Sequence, residues 1–209
     1  MAEHLPQSQV TGWLLAGGEG RRMGGANKGL QPYQGQALAS WVIRALLAQV
    51  GTLHINANRD LDGYAALLEK TASASGQVWP DSPDINASLG PLAGILTGLR
   101  QVATPWLMVA ACDTPALPPT LVHQLHQQAL AHHADIAVPV TCDANGETRH
   151  HWTCALIHAR TRASLEAALA QGERRVGQWI KSNAWIGVSF DDPAAFININ
   201  TPETLHGTV

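Results

Sequence analysis

Between Gly17 and Lys28 the chain sets Gly17, Gly18, Gly20, Gly24 and Gly25 around Arg21, Arg22 and Lys28. Closely spaced glycines let backbone N–H groups converge on an anion without Cβ obstruction. The three cations offset the phosphate charge that such a loop attracts. A second group with chemistry is Asp113, which follows the apolar run Trp106 to Ala111 in the string Cys112-Asp113-Thr114-Pro115. A carboxylate at the tip of a central parallel strand is placed to hold a divalent cation on phosphates. The structural alternatives are a basic surface loop for the first stretch and a turn or N-cap before Pro115 for the second.

Two familiar phosphate loops are excluded. The dinucleotide pattern G-x-G-x-x-G lacks its third glycine, because Met23 stands there, and the Walker pattern fails because Asn27 precedes Lys28 and Gly29 follows it. What remains, L-A-G-G-x-G-x-R-M-G-x-x-K from Leu15 to Lys28, resembles the signature of nucleotidyltransferases that act on nucleoside triphosphates.

The rest of the chain must position these groups. Its 209 residues, 45% of them hydrophobic, suit one α/β domain over residues 1–209 with a sizeable core. A net charge of −3 argues against a general nucleic-acid binder. The polar start MAEHLPQSQ is not organised as a signal peptide, and no apolar run is long enough for a bilayer. Cys112, Cys142 and Cys154 form no C-x-x-C pair and no disulfide framework, which suits a cytoplasmic protein. The ten histidines include the adjacent pairs His132-His133 and His150-His151, not metal-ligand spacing, and most are expected to be solvated.

Val10 to Leu15 reads as a buried first strand running into the glycine loop. Leu30 to Tyr33 is a brief extended piece turning at Gln34-Gly35, and Ala37 to Val50 has a helical period ended by Gly51. Leu53 to Ala57 is a second strand with Asn56, Asn58 and Arg59 at its C-terminal end, the edge where open α/β sheets hold ligands. A helix over Tyr64 to Lys70 and a strand near Val78 follow, then Asp81. Ser82 to Gly94, rich in Pro, Gly, Asn and Ser, is a candidate lid. Helices are expected over Leu92 to Val102, Leu117 to Leu130, Thr161 to Gln171 and from Glu173 through Ile180. Strands are expected over Trp106 to Ala111, Asp135 to Val140, Thr153 to His158, Trp185 to Phe190 and Phe196 to Ile199. The last of these delivers Asn198 and Asn200. Thr201-Pro202-Glu203 then starts a terminal helix.

With these pieces in order, the chain resembles the molybdenum cofactor guanylyltransferases, the MobA family, over nearly its whole length. The resemblance rests on LAGGEGRRMGGANKG (15–29), INANR (55–59), GPLAGI (90–95), CDTP (112–115), GERRV (172–176) and INTPE (199–203). The first block is shared with relatives that transfer nucleotides to sugars or other cofactors; the last two tilt the choice. The resemblance implies a three-layer α/β/α, Rossmann-like nucleotide-diphosphosugar-transferase fold with a mostly parallel central sheet. It implies nucleotide contacts at Leu15, Ala16, Gly17, Gly18, Lys28, Asn56, Asp81 and Asp113, a metal on Asp113, and molybdopterin contacts at Asn198 and Asn200. Asn27 departs from the aspartate common before the lysine, and Glu19-Gly20 fills a variable pair.

The reaction so implied is attack by the terminal phosphate of Mo-molybdopterin on the α-phosphorus of GTP, releasing pyrophosphate. Both partners are polyanions, so positioning and charge stabilisation carry the catalysis. Mg²⁺, with Mn²⁺ as its substitute, would sit on Asp113, while Lys28 and Arg22 offset charge on the leaving group. Asp81 is the candidate acceptor for the donors of the guanine pairing edge. The product would pass to acceptor molybdoenzymes or their chaperones, with no nucleic acid or membrane involved. Competing readings are a related cytidylyltransferase or sugar-phosphate nucleotidyltransferase, and a non-catalytic nucleotide-binding module. A nicotinamide-dependent oxidoreductase is disfavoured by the missing third glycine.

Overall fold

The computed structural model describes residues 6–17, 27–71, 76–85, 90–143 and 145–199. Its first strand, β1 (Val10–Leu15), lies inside an eight-stranded sheet. The chain then forms a two-stranded hairpin, β2 (Pro32–Tyr33) and β3 (Gln36–Ala37), which turns at Gln34-Gly35. Next come α1 (Leu38–Leu47), β4 (Thr52–Asn56), α2 (Leu61–Thr71), β5 (Val78–Trp79) and α3 (Pro91–Gln101). They are followed by β6 (Trp106–Ala111), α4 (Leu121–Ala131), β7 (Ile136–Cys142), β8 (Thr148–His150) and β9 (Ala155–His158). The described chain closes with α5 (Arg162–Ala170), α6 (Val176–Lys181) and β10 (Trp185–Ser189).

The strand order is β10-β7-β9-β6-β1-β4-β5, with β8 added to β7. Neighbours are parallel except where β9 pairs with β6 and β7, and β8 with β7. The sheet is therefore mostly parallel, as the sequence implies. The β7–β8 excursion leaves the chain at the C-terminal end of β7, so β9 must run back against its neighbours.

Side chains along the central strands alternate between two cores, which is the period of two expected of strands buried on both faces. Leu14, Ile55, Met108 and Leu156 join one cluster with Val42, Ile43 and Leu46 of α1 and Leu121 and Leu125 of α4. Trp13, Leu107, Val109 and Ile157 join the other with Leu92 and Ile95 of α3, Leu165 of α5 and Trp179 of α6. Helices thus cover both faces and produce the three layers.

Helix α3 sits close enough to the sheet to matter for the site. A Cβ on Gly94 would lie 2.2 Å from Asn56 Oδ1, and one on Gly98 would lie 2.9 Å from the Trp13 ring. Two bare positions one turn apart let the helix settle on Trp13, whose indole N–H donates to the Gly94 carbonyl at 2.9 Å. The candidate lid is corrected here for its described parts. Pro91 to Gly94 are the first turn of α3, with Leu92, Ala93 and Gly94 buried. Ser82 donates its backbone N–H to Thr97 Oγ1 at 3.0 Å, and Asp84 pairs with Arg100.

A second correction concerns Phe196 to Ile199, which is not a strand. Pro193–Phe196 forms a 3₁₀ turn, with the Asp192 carboxylate accepting from Ala194 N–H at 2.9 Å. The alternating FININ string looks extended, but the acidic cap followed by Pro193 nucleates a turn first. The terminal helix from Thr201 lies outside the described residues. The histidines also differ from expectation: His126 is buried, and His54, His150, His151 and His158 are partly buried against aromatic rings.

Candidate active site

The chain leaves β1 outward to β4 and β5, then returns to the other side of β1 as β6. This reversal makes a topological switch point, and ligands of open α/β sheets bind outside the strand C-termini at such a point. Adjacent strands lie ~4.8 Å apart, so the ends of β6, β1 and β4 span about 10 Å. The backbone ladder continues past the strand ends. Ala16 N–H donates to the Asn56 carbonyl at 2.8 Å, and Cys112 N–H donates to the Leu15 carbonyl at 3.1 Å. Leu15, Ala16 and Gly17 therefore sit between Asn56 on one side and Cys112-Asp113 on the other.

Lys28 lies 85 residues before Asp113, yet its Nζ donates to Asp113 Oδ2 at 2.6 Å. Their side chains are 17% and 14% exposed, so the pair is shielded without being sealed. Lys28–Leu30 is a 3₁₀ turn, anchored where Gly29 meets Tyr64: a Cβ on Gly29 would stand 2.7 Å from the Tyr64 hydroxyl. Asn27, before the lysine, is buried and its amide donates to Asp60 Oδ2. An aspartate at position 27 would face the Asp60 carboxylate directly, which gives a physical reason for asparagine here.

Oδ1 of Asp113 is buried and has no hydrogen-bond partner among the described residues. Its backbone carbonyl accepts from Ile199 N–H at 2.9 Å. Next to it, Thr114 Oγ1 donates to Asn198 Oδ1 at 3.2 Å, which brings Asn198 to the same rim. The Cys112 thiol is pushed up to about 12 by burial and by the Asp113 charge, partly offset by Lys28. It stays protonated at neutral pH and is no nucleophile.

On the far side of β1 the Asn56 amide donates to the Trp79 carbonyl at 3.1 Å and to Asp81 Oδ1 at 3.0 Å. The structure thus brings Leu15, Ala16, Gly17, Lys28, Asn56, Asp81, Asp113 and Asn198 to one sheet edge. Gly18, Arg22 and Asn200 lie outside the described residues. Sequence reasoning left Asn58 unused, although it stands two residues past Asn56. Its Nδ2 donates to Asp81 Oδ2 at 2.8 Å. Thr97, which ties Ser82 to α3, carried no signal beyond its place in a buried helix.

Among the described residues no group of three or more His, Cys, Asp or Glu side chains could hold a metal by itself. A single carboxylate with a spare buried oxygen fits a metal that takes its remaining ligands from phosphates and water. None of the described helices is long and apolar enough to cross a membrane.

Fold and rim together define a class: a Rossmann-like α/β protein with a lysine–aspartate pair at its switch point. Residues 12–184 match the family of the MobA-like NTP transferase domain. The chain belongs to this family and is a nucleotidyltransferase. A molybdenum cofactor guanylyltransferase of Cupriavidus taiwanensis is 44% identical over 202 residues, 96% of each chain. Another, of Burkholderia vietnamiensis, is 44% identical over 196 residues, 94% of this chain and 93% of that one. Among solved structures, the molybdopterin-guanine dinucleotide biosynthesis protein A of Archaeoglobus fulgidus superposes with a TM-score of 0.70 at 24% identity, covering 94% of this chain and 95% of its own.

Proposed function

We propose that residues 1–209 act as one nucleotidyltransferase unit that transfers GMP from GTP to the terminal phosphate of Mo-molybdopterin, giving molybdopterin guanine dinucleotide and pyrophosphate. The two relatives named as molybdenum cofactor guanylyltransferases support the nucleotide and the acceptor. The observation that carries the reading is the Lys28–Asp113 pair, which joins the glycine loop to the β6 tip at 2.6 Å.

Each member of that pair has a use for a triphosphate. Lys28 exchanges Asp113 for phosphate oxygens, and Arg22 assists on the leaving pyrophosphate. Asp113, with Oδ1 already unclaimed by the described residues, would hold Mg²⁺ or Mn²⁺. Bound there, such an ion would supply positive charge to offset the negative charge that develops in the transfer. Leu15, Ala16, Gly17 and Gly18 make the backbone contacts to GTP, and Asn56 and Asp81 hold the nucleoside. Asn198 and Asn200 face the molybdopterin half. Because the attacking phosphate is already an oxyanion near neutral pH, no protein nucleophile is needed, consistent with the protonated state of Cys112. The protein works in the cytoplasm and hands its product to acceptor molybdoenzymes or their chaperones.

The test is pyrophosphate release from GTP or CTP, with molybdopterin or a sugar phosphate as acceptor. Release with GTP and molybdopterin alone is expected. Equal release with CTP, or with a sugar phosphate, would transfer the chain to a sister activity, and GTP binding without product would make it a binding module.

A further inference from the structure

Asp81 is held at three points by two asparagines. Asn56 Nδ2 donates to its Oδ1 at 3.0 Å, and Asn58 Nδ2 donates to its Oδ2 at 2.8 Å. Asn58 Oδ1 also accepts the backbone N–H of Asp81 at 2.8 Å. That two-way contact determines the orientation of the Asn58 amide. A flipped amide would set its NH₂ against an N–H and its carbonyl against a carboxylate. The Asn56 amide is locked in turn by Trp79 and by the tight approach of Gly94. The carboxylate plane of Asp81 therefore has little freedom to rotate.

The acceptor capacity left over is the useful part. An ionised carboxylate offers about four lone-pair sites, and the two asparagine amides occupy one on each oxygen. One site on each oxygen remains. That suits two adjacent donors, as on the guanine pairing edge. Gly17 opens the way to this spot: a Cβ there would lie 3.3 Å from Asn58 Nδ2 and 3.9 Å from Asn56 Oδ1. The nucleotide backbone can therefore lie against this point where β1 gives way to the glycine loop.

We propose that Asn58 is the positioning residue for a base-reading carboxylate: it fixes Asp81 so that both carboxylate oxygens meet guanine donors together. This rests on Asp81 being the guanine acceptor, as proposed above. Asn58 itself touches no reacting atom, so it acts on nucleotide choice and affinity and not on the transfer step.

The experiment compares equilibrium binding of GTP and ITP, with Mg²⁺, by calorimetry. Hypoxanthine keeps the ring N–H but lacks the 2-amino donor. The unaltered protein is expected to favour GTP by about tenfold or more, the scale of a hydrogen bond to a charged group. In Asn58→Ala that preference shrinks to about two- to threefold, with GTP weakened and ITP nearly unchanged. The KM for GTP rises while kcat stays close to its original value. Because Asn58 is exposed, the melting temperature should hold; Asn58→Ser, which keeps a polar group there, replaces the alanine variant if that chain fails to fold. Asn58→Asp, which sets two carboxylates face to face, should bind GTP worse than Asn58→Ala. Equal weakening of GTP and ITP in Asn58→Ala, or an intact preference, overturns the positioning role. If Asp81→Asn erases the preference while Asn58→Ala keeps it, only the Asn58 inference fails. If Asp81→Asn leaves the preference untouched, the assignment of guanine to Asp81 fails as well.

Discussion

The two halves of the sheet are built in opposite ways. Around β1, β4, β5 and β6 the rim is polar: Lys28 on Asp113, and Asn56 and Asn58 on Asp81, at 2.6 to 3.0 Å. Around β7, β8 and β10 the packing is aromatic. The His150 ring stacks on Trp152 at 4.6 Å and 2°, Trp185 meets both edge-on or tilted, and Lys181 stands 5.3 Å over the Trp152 ring. His151 stacks on Phe196 at 4.6 Å and accepts or donates one hydrogen bond, to Thr141. In the polar half, groups that must meet charge are fixed by directional bonds and by glycines where side chains would intrude. In the aromatic half, rings hold loops together by area and shape, and burial lowers the pKa of His150 and His151.

That contrast predicts where function is fragile and where only stability is. The largest effect is expected from Asp113→Ala, which should lower metal-dependent pyrophosphate release at least ~100-fold; undiminished release would remove Asp113 from the reaction. Lys28→Ala should reduce kcat/KM for GTP on the same scale, because a fixed cation on developing phosphate charge is lost. An unchanged kcat/KM would break the claim that the polar half binds phosphate.

Gly94→Ala comes next and sharpens the comparison, since it adds bulk without touching charge. Its methyl must displace the Asn56 amide, with a cost of about 1–3 kcal/mol from overpacking. Both melting temperature and GTP affinity should fall, whereas a stable variant with full affinity would show that α3 has room to move.

The smallest effect belongs to the aromatic half. Burial, with Arg149 and His150 nearby, lowers His151 to about 4 from its ordinary 6.5. Between those values the unfolded chain binds the proton and the folded one does not, so stability declines as pH falls from about 6.5 towards 4. His151→Asn should lower stability at pH 7 but flatten that acid slope by the measure of thermal melts. A slope equal to that of the unaltered protein would mean His151 titrates normally in the folded state.

Much of the architecture was legible beforehand because burial writes itself into local pattern. Trp106 to Ala111 is apolar throughout and became β6 with its bounds unchanged, since a parallel strand covered on both faces needs no polar alternation. Leu15 to Lys28 and CDTP stood out for a different reason: bare backbone, cations and one carboxylate in a short space are the groups a phosphate would need. Phe196 to Ile199 misled because an alternating string does not reveal whether a sheet edge is free to receive it. Asn58 was seen but not used, as nothing in INANR says that the loop after β5 returns to meet it.

Local residue order, then, determined the strands, the helical faces and the identity of the charged groups, because these depend on neighbours a few positions away. Only the tertiary structure decided that Lys28 reaches Asp113 across 85 positions and that Asp81 lies between Asn56 and Asn58. Such meetings depend on strand order. Here the order is set by two hydrophobic faces finding cover at once, and no short stretch of the chain encodes that.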